Sequence, residues 1–98
     1  MTPTEQLIPL LQRAASKFNS LGHTDIFGSD DYTDELGSLC QNAASKLITG
    51  ALTDEEATRL YFIFAPTCEW DDSVGDVDLG NSIFVILDQL YRHTALKK

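Results

Sequence analysis

The sequence predicts an all-α fold, a single-domain bundle of about four helices spanning residues 1–98 with a long acidic loop between the third and fourth. Three observations predict it. Apolar residues recur at spacings of three and four in four separate stretches, the signature of a helix with one buried face. Leucine and alanine, 13 and 8 residues, outnumber the 9 valines and isoleucines, and unbranched side chains lose less rotamer freedom on a helix. Capping residues bracket the stretches. Ninety-eight residues, 43% apolar and 22% charged, suit one core rather than two.

The first helix starts at Thr2, with Pro3 in the first turn, where its missing N–H is harmless, and Glu5 placed to complete a capping box. Pro9 removes the bond to the Glu5 carbonyl, so either the first turn is kinked or the regular helix begins nearer Ile8. Leu7, Leu10, Leu11, Ala14, Phe18 and Leu21 form its stripe; it ends near Ser20, and Gly22 suits a left-handed cap. Residues 23–30 read as a loop or one short turn. From Asp31 a second stripe runs through Tyr32, Leu36, Leu39, Cys40, Ala43 and Leu47 and closes at Gly50, with acids at its positive end and Lys46 at its negative end.

Thr53 to Glu56 is a capping box that opens a third helix, with Ala57, Leu60, Tyr61 and Phe64 inward and Pro66 as the stop. Leu79, Ile83, Phe84, Ile86, Leu87, Leu90 and Tyr91 define a fourth helix. Asp76 and Asp78 stand at its positive end, and Arg92, His93, Lys97 and Lys98 at its negative one. A rival reading takes 60–65 and 83–87 as two buried strands, because both runs are rich in aromatic and branched residues.

A net charge of -8 argues against nucleic acid and anionic membranes, whose phosphates this surface would repel, and favours a basic partner. The charge is concentrated. Residues 23–60 and 61–88 each carry -6, whereas the two ends are slightly basic, and no base lies between Arg59 and Arg92. The carboxylates of that span must be solvated, partnered through space or open to a binding partner.

The stretch 66–78 holds Glu69, Trp70, Asp71, Asp72, Asp76 and Asp78 and is longer than the ~2–8 residues usual between bundle helices. Three readings apply. Calcium suits the carboxylates, but an EF-hand starting at Glu69 puts Val74 where glycine is needed and Gly80 where the closing Glu belongs, which leaves only an irregular site. Structurally, Asp76 or Asp78 caps the last helix, Trp70 folds onto the core with its N–H bonded to a carbonyl, and Asp71 and Asp72 bond the loop backbone. As a recognition site, Trp70 is an aromatic anchor and the acids steer a basic partner. The last two readings are compatible.

Catalytic chemistry is not expected. His23 and His93 are the available imidazoles, neither beside a thiol, and the acids flanking Cys68 should suppress its thiolate. Cys40 sits on an apolar stripe, and the two cysteines read as reduced, largely buried thiols. No ligand pair suggests zinc, no phosphate loop a nucleotide, and no cofactor is implied. The longest apolar run, 60–65, is far short of a membrane span. The apolar stretch 7–11 has no base before it, unlike a secretion signal, so a cytoplasmic protein is expected.

The segment Phe64-Ala65-Pro66-Thr67-Cys68-Glu69-Trp70-Asp71-Asp72, followed by Leu79-Gly80-Asn81, resembles a signature of small acidic helical bacterial proteins. In overall character the chain resembles bacterial toxin-immunity proteins, which are commonly small, acidic, cytoplasmic and helical. That resemblance implies a non-catalytic domain, an immunity protein or inhibitor, binding a basic protein such as a toxin. On the residues, the partner-binding set is Glu69, Trp70, Asp71, Asp72, Asp76 and Asp78. The alternative is a self-associating helical module, a homodimer without a toxin partner.

Overall fold

A computed structural model of the chain describes residues 2–26, 31–65 and 68–96. Within them Thr2 caps the first helix, its Oγ1 accepting from the Glu5 N–H at 3.1 Å, and α1 runs Pro3–Ser20. The helix is continuous through Pro9, so it does not begin nearer Ile8. Pro9 is on the exposed side, where the Glu5 carbonyl that loses its partner can be hydrated, while Leu7 and Leu11 stay fully buried. Gly22 takes a left-handed φ of 68° just past the helix end.

The connection that follows is pinned at its described ends. The Thr33 N–H donates to the Thr24 carbonyl at 3.0 Å and the Thr24 N–H to Thr33 Oγ1 at 3.2 Å, while Asp25 and Tyr32 form an isolated β-bridge. Ile26 is buried in the core; the rest of that expected loop, 27–30, lies outside the described residues. Helix α2, Thr33–Thr49, starts two residues later than its stripe suggested. Glu35 accepts from the Tyr32 N–H at 2.9 Å, making Tyr32 the last extended residue. Gly50 at φ 73° ends it, and the Ala51 N–H returns to the Lys46 carbonyl at 2.8 Å.

Helix α3, Asp54–Phe64, opens on the expected capping box: Glu56 N–H to Thr53 Oγ1 at 3.2 Å and Thr53 N–H to Glu56 Oε1 at 3.1 Å. Its last turn gives way at Ala65, whose extended ψ of 149° fits a residue before proline; Pro66 itself lies outside the described residues. Residues 60–64 of the first run and all of the run 83–87 belong to helices, which sets aside the two-strand reading.

The long loop expected before the last helix is divided. Glu69–Asp72 forms a one-turn helix, α4, and the described residues therefore hold five helices rather than four. Helix α5 is Val77–Leu96, with Asp76 before it; Lys97 and Lys98, expected at its negative end, lie outside the described residues. Helix α1 packs between α2 and α5, and α3 packs on α5, so the core passes from Cys40 and Ala44 through Leu11 and Phe18 to Leu87 and Ile63. No described helix is long and apolar enough to cross a membrane.

Candidate functional site

The singular tryptophan organises the acidic segment from within. Trp70 is fully buried at 0% exposure, edge-on to Phe18 of α1 and tilted against Phe64 of α3, both at 5.1 Å between centroids. Its Nε1–H donates to the Asp76 carbonyl at 2.8 Å, and the Gly75 N–H donates to the Trp70 carbonyl at 2.9 Å. The segment from Trp70 to Asp76 is thereby folded onto itself. The structural expectation for Trp70 is met, and the ring is not an exposed anchor: its surface is spent on two aromatic neighbours of the core.

The acids around it divide into two groups. Glu69 takes a two-pronged contact from Arg59, Nη1 to Oε1 at 2.6 Å and Nη2 to Oε2 at 2.9 Å, while Nη2 also pairs with Asp31. These carboxylates, with the bond to Glu69 foremost, raise the Arg59 pKa further above its usual range. Asp76 caps α5 through Oδ1, which accepts from the Leu79 N–H at 3.2 Å, and its other oxygen meets Lys17 Nζ at 3.3 Å. The backbone bond and then the lysine hold its carboxyl below the usual range. Asp72 and Asp78, by contrast, are exposed, and Asp71 is exposed as well.

Carboxylates without basic neighbours in sequence thus acquire them through space. No pattern in the sequence marks Glu69 and Arg59 as partners. The one available signal was that Arg59 is the last base before an otherwise all-acid span. Asp76, one of two candidates for the α5 cap, fills that position, and Asp78 lies in the first turn beyond.

Beside this edge an open groove of about 290 Å³ is lined by Leu10, Arg13, Asp76, Asp78, Leu79 and Ser82. Among the described residues no three His, Cys, Asp or Glu side chains gather as a metal ion would require. Both cysteines are free. Burial pushes the Cys40 thiol up to about 12 despite the opposing charge of Arg59, and Cys68 is raised first by burial and then by Glu69, Asp71 and Asp72. Cys68 is only half-buried, less enclosed than expected.

Comparison with protein-family models, curated proteins and solved structures finds no match to this chain.

Proposed function

We propose that the chain is a non-catalytic protein-binding domain, an immunity protein or inhibitor in type, that holds a basic protein against the exposed carboxylates of Asp72 and Asp78 on either side of the connection between α4 and α5. The observation that carries this reading is the division of the acids. Glu69 and Asp76 are bound into the fold by Arg59 and Lys17, whereas Asp72, on the segment that Trp70 ties down, and Asp78, in the first turn of α5, face solvent. A carboxylate edge on a fixed backbone suits steering and orientation of a cationic surface, with little ordering left to do on binding.

Trp70 supports this role from inside as a brace, not as a contact. Two thiols held in their protonated form support a non-catalytic reading, and their unpaired state suits the reducing, cytoplasmic setting that is part of the proposal. The test is retention of a basic protein from the source cell by the immobilised chain at low ionic strength. Asp72→Asn and Asp78→Asn together should release that protein while leaving the thermal melt in place, and added salt should do the same. Retention indifferent to the two substitutions, or none at all, overturns the reading.

A further inference from the structure

Helix α5 buries one face, through Leu79, Ile83, Ile86 and Leu87, and leaves the opposite one uncovered. At 100° per residue, Asp78, Ser82, Val85, Gln89, Arg92 and Leu96 fall within an arc of about 80°. All six are exposed, Val85 at 64% and Leu96 at 51%. The stripe is about 27 Å long at 1.5 Å per residue. It is apolar or neutral in the middle, acidic at one end and basic at the other.

Its symmetry is specific. Asp78 and Arg92 lie equally far from Val85 along the helix, about 10 Å on either side at the usual rise. A two-fold axis through Val85, perpendicular to the helix, therefore sets Asp78 of one copy against Arg92 of another, and the reverse at the far end. On a chain of net charge -8 most surfaces repel their own copies, but this face carries one acid and one base and is self-complementary only when the helices run antiparallel. Antiparallel α5 helices also oppose their dipoles favourably.

We propose that α5 is a self-docking helix through which two copies of this chain pair antiparallel, Val85 against Val85 and Asp78 against Arg92 at both ends. The inference stands apart from the basic-partner reading, because its face shares only Asp78 with the acidic edge.

Sedimentation of the full chain at rising concentration and low salt tests it. The wild type should reach a dimer. Asp78→Arg alone places two bases together at each end and Arg92→Asp alone two acids, so each should weaken self-association about tenfold or more. Mixed in equal amounts, the two variants restore both opposite-charge contacts and should form a heterodimer that neither forms with itself. Val85→Lys, at an exposed position that leaves the core intact, should be monomeric. Circular dichroism melts check that each variant folds. A wild type monomeric at all concentrations, a mixture no more associated than its components, or a dimeric Val85→Lys variant overturns the proposal.

Discussion

The indole of Trp70 occupies the space that a side chain at position 80 would need: a Cβ built on Gly80 falls 2.5 Å from both Cδ1 and Nε1 of the ring. The ring reaches the helix backbone only because position 80 has no side chain, and this approach lets Nε1–H meet the Asp76 carbonyl. Gly80→Ala should therefore displace the ring and lower stability by about 1–3 kcal/mol, the usual range for overpacking a filled core. Trp70 is the single tryptophan, so its emission in a urea titration reports both effects. A red-shifted native spectrum and an earlier midpoint are expected; an unchanged spectrum and midpoint would show that the ring is not seated on Gly80.

How much of this was legible in the sequence depends on the range of the interaction that sets each feature. The Thr53–Glu56 box and the Gly50 cap are settled within a few residues, and both could be placed from sequence. Helix α4 could not. Four residues have no period to read, and Glu69–Asp72 is fixed by Phe18, Phe64 and Arg59 from other elements. The same limit applied to the site: the acidic positions were visible, but Arg59 and Asp31 meet across 28 positions, and such pairing is a property of packing. A helix start nearer Ile8 fails for a related reason, because the buried leucines around Pro9 outweigh one missing bond.

Arg59 ties three elements together, joining Glu69 on α4 and Asp31 ahead of α2 to α3. Its side chain is 33% exposed and that of Glu69 only 17%, so removing the guanidinium leaves a carboxylate largely shielded from water. Arg59→Met, which keeps the apolar stem, should lower stability by about 1–2 kcal/mol, reduced from the range for charged hydrogen bonds by the solvent that reaches Arg59. Arg59→Lys should recover only part of this, because one ammonium cannot reproduce the fork. Urea midpoints for the two variants check it, and equal midpoints for Met and wild type would remove the clasp from the account of stability.

Acid should loosen the start of α3. Glu56 accepts from Lys46, from the Thr53 N–H and from the Thr53 hydroxyl, the lysine bond foremost, and its pKa falls from 4.5 to about 2. A carboxyl whose folded pKa is depressed stabilises the fold above its unfolded value, and that contribution disappears as pH falls from about 4.5 towards about 2. Asp76 on α5 acts in the same direction. Melting temperature should fall across this window, and Glu56→Gln should flatten part of the fall, being less stable than wild type at neutral pH and nearly equal at pH ~2. Parallel pH profiles for the two proteins would contradict the assignment.

The two thiols should separate by reactivity. Cys40 lies at 0% exposure in the core that also holds Leu11, Ala14 and Leu36, with its pKa pushed up to about 12 by burial. At pH ~8 such a thiol is almost wholly protonated, and the thiolate is the reacting form. Cys68 is half-buried, and nearby carboxylates add to the effect of burial on its pKa. An aromatic disulfide reagent should modify Cys68 slowly in the native protein and Cys40 only at the rate of unfolding, so that urea brings the second equivalent in with the loss of tryptophan burial. Cys40→Ala should lower stability by about 1 kcal/mol through the small void it leaves, whereas Cys40→Ser should lower it further by burying a hydroxyl where a thiol lay. Rapid modification of both thiols in the native state, or a serine variant as stable as the alanine one, would place Cys40 outside the packed core.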